Sequence, residues 1–272
     1  MRFALLTDVH FGPKASFEGK LRKLSHHAAR LTGEFVARMN DVEHPELVVN
    51  LGDVVEDESP EADEAAYRTF IELLAPLTCP VLHVAGNHES MNLGDADLAR
   101  LWKQEQPLHY SRVIGGIRFV VLRTRHRGQT DVHLPDEQVR WLTDVLHESP
   151  ERCVVLVHHP LGEMNLYGNR WFYKWPHICL VAERARVRRI ISDSRKVIGV
   201  FNGHAHWNHC ALLDGIPYIT LQSMTENVLD DAPGLPARTY AIADVDDGML
   251  RVRVEGEHPA RYEVAIQCPA RP

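Results

Sequence analysis

Five short apolar, β-branched runs punctuate the chain: Phe3 to Thr7, Leu47 to Leu51, Val81 to Ala85, Val154 to Val157 and Val197 to Phe201. Each is the length of a buried strand and shows no polar alternation, the pattern expected when both faces of a sheet are covered. Helical periodicity fills the gaps between them, over Lys20 to Asn40, Glu61 to Ala75, Asp136 to Glu148 and Cys179 to Ser192. Ser59-Pro60 supplies an N-cap and a first-turn proline for the second helix. Later in the chain the pattern turns antiparallel. Tyr110 to Ile114 and Ile117 to Arg123 flank Gly115-Gly116, and Ala211 to Leu213 and Ile216 to Leu221 flank Asp214-Gly215. Both are two-residue hairpin signals. Tyr240 to Val245 and Met249 to Val254 flank a third turn at Asp246-Asp247-Gly248. Parallel-type βα units followed by hairpins predict two sheets with helices on their outer faces. No linker or repeat interrupts residues 1–272, so one domain is expected, with 207–272 mainly completing the second sheet.

Every one of the five runs stops at a polar cluster. The clusters are Asp8-Val9-His10, Gly52-Asp53, Gly86-Asn87-His88-Glu89, His158-His159-Pro160 and Asn202-Gly203-His204-Ala205-His206. Open α/β sheets bind ligands beyond the carboxyl ends of their strands, so clusters far apart in sequence are expected to converge. Asp8 and His10 are two residues apart, as are His204 and His206. In extended backbone each pair would point to one side and pinch one point. Glycine precedes Asp53, Asn87 and His204, where a sharp turn needs close backbone approach. Imidazole, carboxylate and amide donors without thiolate favour Zn, Mn, Fe or Co. Four His, two Asp and one Asn exceed one tetrahedral shell and suit two ions about 3.5–4 Å apart sharing a carboxylate.

Composition narrows the setting. The 272 residues are 44% hydrophobic and 25% charged, with 30 basic and 37 acidic side chains for a net charge of −7. That is a globular composition, and its sign speaks against a phosphate-tracking nucleic-acid binder. No apolar run approaches the ~18–20 residues of a membrane span. The opening Met1-Arg2-Phe3-Ala4-Leu5-Leu6 has no signal-peptide core, and the cysteines (Cys79, Cys153, Cys179, Cys210, Cys268) are scattered without a CxxC. A reducing cytoplasm is the expected location, with reduced thiols. The arginines of the last helix (Arg184, Arg186, Arg188, Arg189) are read as a solvated face.

Asp8-x-His10, Gly52-Asp53, Gly86-Asn87-His88-Glu89, His158 and Gly203-His204-x-His206, in that order, resemble the calcineurin-like metallophosphoesterase superfamily. The resemblance implies a four-layer αββα sandwich of two mixed sheets and a dinuclear centre. By it, Asp8, His10 and His206 hold the first ion and Asn87, His158 and His204 the second. Asp53 bridges them, and His88 stands over the phosphate as leaving-group acid or transition-state stabiliser. The implied cofactors are two divalent or trivalent ions, Mn, Fe or Zn. Departures from the family's branches are informative. The arginines that Ser/Thr phosphoprotein phosphatases place before GNH and after GD are absent: Ala85 precedes Gly86, and Asp53 is followed by Val54-Val55-Glu56-Asp57. The metal-binding tyrosine of purple acid phosphatases falls on Glu56. Glu89, where many bacterial phosphodiesterases carry Asp, is expected to orient His88, and is similar to the Mn-dependent ADP-ribose and CDP-alcohol pyrophosphatase branch.

Two divalent ions with Asp8, Asp53 and a bridging hydroxide leave about +1, which suits a singly charged phosphodiester. Metal lowers the pKa of water toward ~7, so hydroxide is available for in-line attack. A dinuclear phosphodiesterase for small phosphodiesters, of cyclic-nucleotide or glycerophosphodiester type, is the leading expectation. Its rivals are a nucleoside-diphosphate-linked pyrophosphatase, a phosphomonoesterase, and a silent scaffold similar to the retromer subunit of this fold. Around the centre, His159 is read as supporting a ligand, and His209 as surface or support. Asn202 is read as holding a loop, and His83 and His109 as structural. Residues 162–177 concentrate aromatic and basic side chains, Trp171 and Tyr173 among them. That loop is read either as a substrate contact or as an edge seal or homo-oligomer interface. Arg123, Arg125, His126 and Arg127 form a basic loop. A small phosphoester is the expected partner, with neither membrane nor nucleic acid.

Overall fold

A computed structural model of the protein describes residues 1–105, 107–127, 130–229, 231–246 and 248–266. Asp247 of the third turn and Cys268 lie outside them. In chain order the elements are β1 (Arg2–Leu6), β2 (Ala15–Phe17), β3 (Lys20–Lys23), α1 (Ala28–Arg38), β4 (Leu47–Asn50), α2 (Pro60–Leu74), β5 (Val81–His83), α3 (Glu89–Asn92), α4 (Asp95–Trp102), β6 (Tyr110–Ile114) and β7 (Ile117–Val121). There follow β8 (Arg125–Arg127), β9 (Asp131–His133), α5 (Asp136–Glu148), β10 (Arg152–Leu156), α6 (Arg184–Ser194), β11 (Val197–Asn202), β12 (His209–Leu213), β13 (Ile216–Thr220), β14 (Tyr240–Val245), β15 (Met249–Glu255) and β16 (Ala260–Ala265).

One sheet runs β16-β15-β14-β1-β4-β5 and the other β12-β13-β11-β10-β7-β6. In both, the strands that carry the five polar clusters pair in parallel: β1 with β4, β4 with β5, and β10 with β11. The apolar runs lack alternation because their two faces serve two cores. Phe3 and Leu5 point between the sheets, where Phe3 meets Phe119 and Phe201 edge-on at 5.3 and 5.6 Å. Ala4 and Leu6 point outward and are covered with Phe35, Tyr67 and Phe70 of α1 and α2. Val155 and Val200 do the same on the second sheet, against Leu142 of α5 and Val187 of α6. The fold is therefore the αββα sandwich, and no helix among the described residues is long and apolar enough to cross a membrane.

The segments that differ from expectation do so for local reasons. Lys20–Lys23 is a strand in a hairpin with β2, and the helix begins only at Ala28, after a 3-10 turn at Ser25–His27. Leu21 and Leu24 fit a helical spacing, but the segment is pinned instead to the Thr225–Asn227 backbone through Leu24 N and Arg22 O. Residues 179–183 stay outside α6, with Cys179 and Val181 buried. Among the described residues beyond 206, only β12 and β13 join the second sheet. β14, β15 and β16 extend the first, correcting the expectation that this part mainly completes the second. Ser59 caps α2 as expected, accepting from Ala62 N at 3.2 Å. The four described cysteines are free thiols.

Candidate metal centre

Strand ends bring the polar clusters together, but not through extended pairs. Asp8, His10, Asp53, His204 and His206 all adopt left-handed backbone, with φ between 50° and 67°. For a non-glycine residue this costs roughly 1–2 kcal/mol, so the surrounding structure must hold it. Asp8 N donates to Gly52 O at 2.9 Å, His10 N to Asp53 O at 3.1 Å and Ser223 Oγ to Asp8 O at 2.7 Å. Glycine is needed beside the ligands for two separate reasons. Gly52 itself has φ 102°, and a Cβ on Gly86 would lie 2.1 Å from Asp53 Oδ1. The pincer reading is corrected accordingly: His204 and His206 turn to different clusters.

In the first cluster Asp8 Oδ1 lies 3.3 Å from His206 Nε2 and 3.8 Å from His10 Nε2, and the two Nε2 atoms are 3.2 Å apart. Each imidazole is backed by a carboxylate: Glu56 Oε2 is 2.8 Å from His10 Nδ1, and Glu226 Oε2 is 2.7 Å from His206 Nδ1. Asp8 Oδ2 accepts from Thr7 Oγ1 and His204 N, while its buried Oδ1 has no hydrogen-bond partner. In the second cluster His158 Nε2 faces Asp53 Oδ2 at 3.1 Å and Asn87 Oδ1 at 3.2 Å. Its Nδ1–H donates to Leu51 O at 2.9 Å, and His204 Nε2–H donates to Ile178 O at 3.2 Å.

This is acceptor facing acceptor in a buried setting, which only positive charge reconciles. Without metal the charge is a proton. Burial alone would lower His158 and His206. Asp53 pushes His158 up to about 9, and the carboxylates of Asp8 and Glu226 on either side push His206 up to about 9. Burial and the His158 imidazole hold His204 well below its ordinary range, so it offers a lone pair. Asp8 with His10 and His206, and Asp8 with Asp53 and His158, offer ligand atoms within 4.8 Å of one another. The donor set fits two metal ions.

Several other expected residues find different places. His88 stands at the rim with Nε2 3.9 Å from Asp53 Oδ2, and its Nδ1 meets Asp57 Oδ1 at 3.1 Å. Burial lowers its pKa, but Asp53 and Asp57 outweigh this and raise it. Asp57, not Glu89, orients His88. Glu89 is wholly buried under the turn, where its carboxylate accepts from the N–H groups of Asp53, Val54 and Gly86 at 3.2, 2.7 and 3.0 Å. Burial, then the charge of Asp53, pushes it up to about 7. His159 engages Thr124 Oγ1 at 2.7 Å and His126 Nε2 at 3.1 Å, beside the His204 ring. His209 opens β12 opposite Thr220, outside the clusters. Arg123 does not reach the centre. Its guanidinium holds Gly86 O, Ser90 and Asp95.

Beside the clusters lies a cavity of about 380 Å³, with Lys23 and His126 on its wall and Phe17, Trp171, Phe172 and Trp175 as its aromatic face. Trp171 stacks on Phe17 at 5.0 Å, donates to Glu226 at 3.1 Å and meets the His206 ring at 5.5 Å. Tyr173 turns away and is 44% exposed, so the loop's two expected aromatics part company. The sequence reading missed Glu226, Lys23 and Asp57, and met Glu56 only as a missing tyrosine. Glu56 and Asp57 lie just after Asp53, a detectable signal, whereas Glu226 has none.

The chain matches the calcineurin-like phosphoesterase family over residues 1–208. It is 25% identical, over 262 residues, to a probable cyclic nucleotide phosphodiesterase of Synechococcus sp., covering 93% of this chain and 91% of that protein. It is 26% identical, over 200 residues, to a cAMP/cGMP dual specificity phosphodiesterase of Mycobacterium tuberculosis, covering 68% of this chain and 56% of that one. Its fold superposes on a dimetal phosphatase from Danio rerio with a TM-score of 0.79 at 18% identity, covering 98% and 99% of the two chains. It superposes on a purple acid phosphatase from yellow lupin with a TM-score of 0.68 at 13% identity, covering 100% and 56%.

Proposed function

Because this chain belongs to the calcineurin-like phosphoesterase family, we propose that it hydrolyses small phosphodiesters, of cyclic-nucleotide or glycerophosphodiester type, at a two-metal centre. The observation that carries the reading is the convergence of buried acceptors with nothing but each other to face. In this reading Asp8, His10 and His206 hold one ion, Asn87, His158 and His204 the other, and Asp53 is shared. The metal pair, when bound, supplies Lewis acidity toward water and the phosphoryl oxygens.

The chain's own residues do the rest. Lys23 and the aromatic wall receive the ester and its organic substituent. His88, held at Nδ1 by Asp57, presents Nε2–H toward the cavity. Water adds its oxygen to phosphorus and releases one proton to solvent. The ester P–O bond breaks, and His88 gives its proton to the departing oxygen, leaving a phosphomonoester and an alcohol. His88 is then reprotonated from solvent. Two supports favour a diester over a monoester dianion: Lys23 is the one Lys or Arg on the described cavity wall, and Arg123 is occupied by Gly86 O, Ser90 and Asp95. The two relatives named as phosphodiesterases point the same way. The intact donor set argues against a silent scaffold.

The test is the purified protein reconstituted with Mn²⁺ and assayed on bis-p-nitrophenyl phosphate, p-nitrophenyl phosphate, cyclic AMP and ADP-ribose. The diesters are expected to lead. A monoester preference overturns the diester reading, and a preference for ADP-ribose transfers it to a pyrophosphatase.

A further inference from the structure

We propose that Glu56 and Glu226 are positioning residues that aim His10 and His206 at one cation and make that position the tighter of the two. The proposal rests on the two-metal reading above. The two imidazoles come from opposite parts of the chain, yet they are supported alike. Glu56 meets His10 Nδ1 at 2.8 Å, and Glu226 meets His206 Nδ1 at 2.7 Å. Both carboxylates are nearly withdrawn from water, with 12% and 3% of their side chains exposed. Each is also fixed from behind. Lys23 Nζ lies 2.9 Å from both oxygens of Glu56. Trp171 Nε1 donates to Glu226, whose own N–H donates to Ser223 Oγ at 3.1 Å.

An imidazole that donates Nδ1–H to a carboxylate is locked in one tautomer, and its Nε2 lone pair becomes more basic. The other position lacks this support. His158 and His204 are backed by the neutral carbonyls of Leu51 and Ile178, and Asn87 brings a neutral amide. Glu89 lies beneath Asp53 on backbone N–H groups and supports neither imidazole. In the two-metal reading Asp53 is common to both positions, and Asp8 lies within reach of both clusters, so the difference between them comes from the backing groups. A first equivalent of metal therefore settles between Asp8, His10 and His206.

The experiment titrates metal-free protein with Zn²⁺ alone by calorimetry and counts bound metal by elemental analysis. Wild type is expected to fill in two resolved steps. Glu56→Gln and Glu226→Gln each weaken the tighter step by about 10–100-fold and leave the weaker step in place. Asn87→Ala does the reverse, losing the weaker step and keeping the tighter one. Both Gln variants also lower the metal-free thermal midpoint, because each breaks a buried ion pair; the readout a merely structural role would not give is a loss confined to the tighter binding step. An unchanged tighter step, or a loss confined to the weaker one, overturns the proposal. Failure of both Gln variants to fold without metal also overturns it, assigning these carboxylates to the scaffold. A wild type that binds no zinc overturns instead the two-metal reading beneath it.

Discussion

Asp53 and His88 sit 3.9 Å apart at the mouth of the centre but are bound differently into it. Asp53 is buried, faces His158 with one oxygen and accepts His88 N–H with the other. Asp53→Ala removes the carboxylate that the proposed reading shares between the two ions, so bound metal and bis-p-nitrophenyl phosphate turnover should vanish together, checked by elemental analysis alongside the assay. Full turnover in a chelator-treated variant would contradict the assignment. His88 touches the clusters only from the rim. His88→Ala is expected to keep its metal and lose about 10²–10⁴-fold in kcat, the usual contribution of a positioned acid. Metal loss in that variant would move His88 into the ligand shell.

At the scale of elements, the β2–β3 hairpin and the loop over residues 162–177 meet in the Phe17–Trp171 stack, which closes one side of the cavity. Trp171→Ala should raise KM about fivefold for a diester with a planar organic substituent, since a lost aromatic contact is worth about 1 kcal/mol. Tyr173→Ala should leave KM where it is, because that ring faces solvent; equal effects would reject the division. Strand β5 carries a separate titrating group. His83 is buried, lies flat on Trp102 at 5.4 Å, and burial pushes its pKa down from 6.5 to about 4. The unfolded chain therefore takes up this proton first as pH falls. The stability from neutral His83 is whole above pH 6.5 and is lost toward pH 4, up to ~3 kcal/mol. Denaturant melts of metal-free wild type and His83→Gln at pH 7 and pH 5 should show the smaller loss in the variant.

For the whole molecule, the centre lies on the seam between the sheets. Asp8, Asp53 and Asn87 follow strands of one sheet, and His158 and His204 follow strands of the other. Metal ions held there tie the two sheets across their carboxyl ends. A ligand at 100 times its dissociation constant stabilises a fold by about 2.7 kcal/mol per site. Calorimetric scans should therefore show the melting temperature fall on chelation and recover with Zn²⁺ or Mn²⁺. An unmoved transition would detach the clusters from the fold's stability.

The amino-acid sequence alone determined the strands that bear the centre and the residues at their ends. A run buried on both faces is apolar throughout, and the polar cluster that ends it is a local signal. Helices α2 and α5 were legible because both are long and periodic, each opens beside a proline, and Ser59 caps α2. The Lys20–Lys23 hairpin was not, because a short segment's spacing cannot tell a helix turn from a strand held by Thr225 and Asn227. The motif resemblance already places His204 and His206 on different ions, but tertiary structure alone decided that Trp171 faces the cavity while Tyr173 does not. It also decided that Glu226 supports His206 and that Glu89 supports the turn rather than His88. These are choices among side chains brought together across the chain, and a contact such as His10 with His206, 196 residues apart, leaves no trace in local periodicity.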